Sequence, residues 1–159
     1  MYNELISFTF DAEEWTLDGN TIDFKQLAYP DCLSEITYGH LTLTDEKNAS
    51  KFVIINDVEL GYLAITLSFQ AQQLTQGDIT KASVASLHQH FDLLLTVGKD
   101  KVCTLCIIDE PEKNISMHLD TLNDQLRNFR NTIWVDMYNH YPQISEIEDY
   151  ANMEADFIS

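Results

Sequence analysis

The stretch Leu119-Asp-Thr-Leu122-Asn-Asp-Gln-Leu126-Arg-Asn-Phe129-Arg-Asn-Thr-Ile133-Trp-Val-Asp-Met137 decides the fold class. Its apolar residues recur every three or four positions, so they line one face of an α-helix. Ser116 or Asp120 is expected to cap the start. Tyr141-Pro142 is expected to stop it, because proline lacks the N–H and clashes with the preceding turn. The stripe covers only about three heptads, short for a coiled coil, so this face is expected to lie on a sheet. The rest of the chain must supply that sheet.

Ile6-Ser-Phe-Thr-Phe10 alternates strictly, the period of a half-buried strand. Trp15-Thr-Leu17 and Ile22-Asp-Phe24 flank Asp18-Gly19-Asn20-Thr21 and read as a hairpin. Ile36 to Thr44 alternates with a slip at Gly39, the mark of a β-bulge. Lys51 to Asn56 and Val58 to Phe69 read as a second hairpin around Asn56-Asp57. Leu63, Ile65, Leu67 and Phe69 form its expected buried face, the seat for the long helix. Beyond Gly77, Val84, Leu87, Phe91 and Leu94 predict a helix from about Thr80 or Ser83 to Gly98. Val102 to Ile108 is apolar on both alternating faces, as in a central strand covered on both sides, and Pro111 ends it. Ser145-Glu-Ile-Glu148 has the capping-box pattern of a short last helix through Met153. The sum is an α+β fold: a mainly antiparallel sheet of about five to six strands, two main helices packed on it and a short C-terminal helix. No repeat or linker divides the chain, so 1–159 reads as a single domain.

Charge narrows the function. Nine Lys and Arg face 26 Asp and Glu, a formal net charge of −17 in 159 residues. A folded chain of this size exposes about 8,000 Å², or about one net negative charge per 480 Å². Hydrophobic residues at 45% and aromatics at 11% exclude a disordered acidic tail. The shortage of Lys and Arg to meet phosphates argues against direct nucleic-acid binding, and an anionic membrane surface is disfavoured for the same reason. The longest uncharged stretch, Gly61 to Gly77, is broken by glutamines and is not a span. Cys32, Cys103 and Cys106 do not make a disulfide framework, and Met1-Tyr-Asn-Glu4 opens no signal peptide. A cytoplasmic location is therefore expected.

Motifs of chemistry are scarce. The glycines stand at 19, 39, 61, 77 and 98, too far apart for a phosphate-cradling loop. No His precedes a Glu in zincin fashion. Cys103-Thr-Leu-Cys106 falls in a strand, which turns residues three apart to opposite faces and separates the sulfurs. His88-Gln-His90 falls in the expected helix, where residues two apart diverge by about 200°; on a strand, the alternative, they would share a face and could share a ligand. His140 is expected to finish the long helix, where a donor suits the exposed carbonyls. No catalytic residue, cofactor or metal ligand is expected, and the chain reads as a binding protein rather than an enzyme.

The acid is unevenly placed. Glu13, Glu14 and Asp18 belong to a first segment, residues 1–24, without Lys or Arg. Asp109, Glu110 and Glu112 follow the central strand, with Lys113 their only close counter-charge. Glu146, Glu148 and Asp149 belong to a last segment, 136–159, again without Lys or Arg. Clustered carboxylates repel one another, and a basic partner relieves that cost. These nine residues are the expected partner-binding set, with Trp15, Tyr62, Trp134, Tyr138 and Tyr141 available as aromatic anchors.

In general build, a small, acidic, single-domain α+β chain without a catalytic signature resembles the immunity proteins of bacterial contact-dependent and polymorphic toxin systems. The resemblance implies capture of a cognate basic toxin domain, often a nuclease, in the cytoplasm. Two alternatives are a DNA mimic that occupies a DNA-binding protein, and a small enzyme assembled from distant residues. The first would space carboxylates along one face with few aromatics between them. The second would show as a pocket of convergent polar groups.

Overall fold

The computed structural model describes residues 4–11, 22–86 and 92–158. Strands β1 (Ile6–Phe10), β2 (Tyr38–Thr44) and β3 (Phe52–Glu59) form a three-stranded antiparallel sheet in that order. Strands β4 (Lys81–Ala85), β5 (Asp92–Val97), β6 (Val102–Ile107) and β7 (Glu110–His118) form a four-stranded one. The main helices are α1 (Leu60–Gln76), α2 (Leu119–His140) and the short α3 (Tyr150–Phe157). The α+β class is as expected, with its antiparallel strands shared between two sheets rather than joined in one.

Helix α2 follows the sequence closely. Leu119, Leu122, Leu126, Phe129, Ile133 and Met137 are all buried. Tyr141 ends the helix, donating its N–H to the Met137 carbonyl at 2.7 Å, and His140 is the last helical residue. The start differs from expectation. His118 is the cap, its Nδ1 accepting from the Asp120 N–H at 3.1 Å, while Ser116 lies within β7 and Asp120 inside the first turn. Glu46 reinforces the cap from the β2–β3 connection by accepting from the His118 N–H at 2.9 Å and the Thr121 hydroxyl at 2.8 Å.

The seat of α2 is corrected. The stretch 60–76 is a helix, not the second strand of a hairpin, and the expected turn residues Asn56-Asp57 lie inside β3. The alternation of Leu63, Ile65, Leu67 and Phe69 suits a strand, but Leu60, Leu63, Ala64, Leu67, Ala71 and Leu74 suit a helix better. Those six are buried, whereas Phe69 is 59% exposed. Gly77 closes the helix at φ 87°, the left-handed C-terminal position that glycine occupies without strain. So α2 packs on α1, and together they cover the inner faces of both sheets. Buried Gln125 ties α2 to the first strand, its Oε1 accepting from the N–H groups of Leu5 and Ile6 at 2.9 and 3.2 Å.

The helix expected over 80–98 is also corrected. Residues 81–85 and 92–97 are the paired strands β4 and β5, with Val84 opposite Leu93 and Ala82 opposite Leu95, all facing inward. Leu87, Phe91, His88 and His90 lie outside the described residues. Of the expected helical stripe, Val84 points inward and Leu94 is half-buried, which only a two-residue period explains.

Strand β6 is central, as expected, between β5 and β7. It is sealed on one face only, by Cys103 and Leu105; its other face is half-buried, and there the Thr104 and Ser116 hydroxyls share a 2.8 Å hydrogen bond. Pro111 lies within β7 rather than ending β6. The 145–148 stretch is corrected as well: Pro142–Glu146 is a 3-10 turn, and α3 begins at Tyr150. Of the first expected hairpin, Trp15, Leu17 and the Gly19-Asn20 turn lie outside the described residues. Phe24 is in a 3-10 turn, Phe24–Gln26, not a strand.

The bulge at Gly39 is present. The β2–β3 register shifts between Gly39 and Leu41. A Cβ at Gly39 would meet the Thr9 carbonyl oxygen and come within 2.9 Å of the Phe10 Cα, so only glycine lets β1 approach this closely.

Candidate functional site

The expected carboxylates occupy separate places. Glu13, Glu14 and Asp18 lie outside the described residues, as does Trp15. Asp109 is exposed in the β6–β7 turn. Glu110 and Glu112 begin β7, and Lys113 pairs with Glu110 at 2.9 Å. Glu146, Glu148 and Asp149 are exposed where the 3-10 turn leads into α3. Glu148 bridges in parallel to Ala28, and the Asp149 carbonyl accepts from the N–H groups of Asn152 and Met153 at 3.0 and 3.1 Å. That turn packs on α2 and α3, while β7 packs on β6, β3 and α2.

The C-terminal cluster has an aromatic neighbourhood. Trp134 is buried, with Tyr138, Tyr150 and Phe157 around it at centroid distances of 6.3, 5.8 and 5.7 Å. Tyr138 is 42% exposed and Val135 53% exposed, so this framework presents apolar surface beside the acid. The Tyr150 hydroxyl donates to Glu154 at 3.0 Å. Burial first, then Glu154's hydrogen bond and charge, push the Tyr150 phenol up to about 12. Burial also raises the Asp136 carboxyl above its ordinary value. Two aromatics expected as anchors are instead structural: Trp134 and Tyr141 are core residues, with Tyr141 fully buried.

One cluster was not legible in the sequence. Asp11, just past β1, His40 in β2 and Asp57 in β3 offer ligand atoms within 4.8 Å of one another. The bulge brings them together. His40 lies at the register shift, Asp57 takes φ 57°, and the Asp57 N–H donates to His40 Nδ1 at 3.3 Å. One imidazole and two carboxylates can hold a divalent cation, the imidazole favouring a transition ion over magnesium or calcium. The cysteines do not contribute. Cys103 is buried and Cys106 half-buried on the opposite face of β6, and burial pushes the Cys103 thiol up to about 12, away from the thiolate that a metal or a nucleophile needs.

Among the described residues, no helix is long and apolar enough to cross a membrane. Comparison with protein-family models, curated proteins and solved structures finds no match to this chain.

Proposed function

We propose that this protein is a binding module that captures a basic protein domain, as a toxin-immunity protein captures a toxin nuclease, through the α2–α3 face centred on Tyr138 and Tyr150. The observation that carries this reading is uncompensated charge. Were every Lys and Arg paired, 17 carboxylates would still lack a cation, over a surface of 8575 Å². An average patch of about 800 Å², one side of a standard interface, then brings between one and two net negative charges. The α2–α3 face brings more, because residues 136–159 carry acid without Lys or Arg. The face also has what a charged patch by itself lacks, an exposed aromatic, Tyr138, packed beside the buried Trp134. Such a residue fits the anchor of a hot spot, while the surrounding carboxylates steer encounter. The β6–β7 cluster is weaker in net charge, because Lys113 pairs with Glu110 at 2.9 Å.

The test is association kinetics against the product of the adjacent reading frame. Reversing Glu146, Glu148 and Asp149 to lysine is expected to slow association at least about tenfold, while Tyr138→Ala chiefly speeds dissociation. Reversing Asp109, Glu110 and Glu112 is expected to change either rate far less. Equal effects from the two triple reversals would refute the placement. Competition by duplex DNA, with losses spread over many carboxylates, would favour a nucleic-acid mimic.

A further inference from the structure

The chain has two arginines, Arg127 and Arg130, and both line one cleft. Asn123, Arg127 and Arg130 follow helical spacing along one face of α2. Gln72, Thr75 and Gln76 do the same along α1, and the two rows enclose about 360 Å³. In a chain of net charge −17 this is an unusual concentration of positive charge, and among the described residues no carboxylate lines it.

Arg130 is the informative residue. It is 7% exposed, its Nε–H is buried without a hydrogen-bond acceptor, and no described carboxylate pairs with it. Burial and the neighbouring Arg127 both push its pKa down, so the site works against the charge it contains. A guanidinium has five donors and cannot shed its proton at physiological pH, so burying it unpaired is costly unless an anion meets it. On its other side Arg130 borders a smaller cleft of about 160 Å³ that Asp156 also lines, but the Asp156 carboxylate is engaged by the Tyr29 hydroxyl. Arg127 stands at the solvent rim, bonded to Asp124 at 3.2 Å. The far wall is fixed: Asn123 donates to Thr75 Oγ1 at 2.9 Å, and that hydroxyl donates to the Ala71 carbonyl at 2.7 Å.

We propose that this α1–α2 cleft binds the phosphoryl group of a small phosphorylated molecule, with Arg130 at its base, Arg127 at its mouth and the Gln72 and Gln76 amides opposite. Guanidinium groups of α2 and glutamine amides of α1 line one volume, an arrangement that a tetrahedral group with three free oxygens would match. A carboxylate has only two oxygens in a plane, which one arginine fork satisfies. The volume suits a small molecule rather than a macromolecule. Glu146, Glu148 and Asp149 do not line this cleft, and its test does not depend on them.

The test is calorimetric titration of the whole chain with inorganic phosphate and with glycerol 3-phosphate, against succinate and chloride at equal ionic strength. The Arg130 Nε–H resonance provides a second readout. Saturable phosphate binding tighter than about 1 mM is expected, with a shift of that resonance. Arg127→Gln and Arg130→Gln should each weaken it at least about tenfold, which is about 1.4 kcal/mol, and Lys113→Gln should leave it unchanged. Arg127 is at the exposed rim, so its variant decides the matter even if Arg130→Gln fails to fold. Unaltered binding by Arg127→Gln, succinate binding as tightly as phosphate, or no saturable binding would each overturn the proposal.

Discussion

Gly39 and Asp57 belong to the same bulge and should respond to substitution in opposite directions. Gly39→Ala drives a methyl into the Thr9 and Phe10 backbone, where no flexible side chain can yield, so a loss of about 1–3 kcal/mol is expected in denaturant unfolding. Asp57 has φ 57°, a conformation that costs an L-residue energy and glycine nothing. Asp57→Gly should therefore hold or gain stability, by up to about 1 kcal/mol, while removing one carboxylate from the Asp11–His40 group. If both substitutions destabilise equally, the bulge is not where the strain resides. Thiol chemistry offers a second check at this scale. Cys106 should label in the native protein well before Cys103, whose thiol is both buried and raised to about 12. Equal native rates would mean that β6 is not sealed on its inner face.

Helix α2 anchors both the core and the cap that orients it. Leu126 is 1% exposed in the core, and Leu126→Ala should cost about 2–5 kcal/mol as a buried cavity. A loss below half a kcal/mol would mean the wrong face is buried, by the same scale. Glu46 is held below its ordinary carboxyl value, chiefly by the His118 N–H and then the Thr121 hydroxyl. A depressed folded pKa gives stability that is present above the unfolded value and lost as pH falls through the folded one. Glu46→Gln should thus cost about 0.5–1 kcal/mol near neutral pH, the low end for an exposed, solvent-screened group, and its penalty should shrink in acid below pH 4. A penalty constant with pH would assign the effect to shape rather than charge. The same element shows why some of the fold was legible and some was not. Six apolar residues from Leu119 to Met137 admit only a helical period. Leu63, Ile65, Leu67 and Phe69 satisfy a strand as well as a helix, and only the smaller Ala64 and Ala71 break the tie. The two-arginine cleft is illegible for the same reason, because Gln72, Thr75 and Gln76 share a face only on a helix. Asp11, His40 and Asp57 are far apart in sequence, and nothing short of the bulge register joins them.

For the whole molecule, charge is both the functional hypothesis and a burden on the fold. With a net charge of −17 on 8575 Å², about one per 500 Å², the carboxylates repel one another in the compact state more than in the expanded chain. Local hydrogen bonds such as those to Glu46 offset this only where they occur. Salt weakens the repulsion at range: the Debye length falls from about 30 Å at 0.01 M to about 10 Å at 0.1 M, shorter than the span of the molecule. Close pairs such as Lys113–Glu110 at 2.9 Å lie well inside either length and are weakened less. The melting temperature should therefore rise with ionic strength over that interval, by several degrees, since about 1 kcal/mol corresponds to about 2–4 °C in a chain of this size. Sodium chloride and potassium chloride should act alike, because screening depends on ionic strength and not on the ion. A magnesium or zinc salt that stabilises far beyond its ionic strength would instead indicate a bound ion, and loss of that excess in His40→Ala would place it at the bulge. A melting temperature that is flat or falls with salt would mean that attractive pairs already balance the charge, leaving no repulsive energy for a basic partner to relieve. That result would remove the electrostatic ground for partner capture, whatever the fate of the phosphoryl cleft.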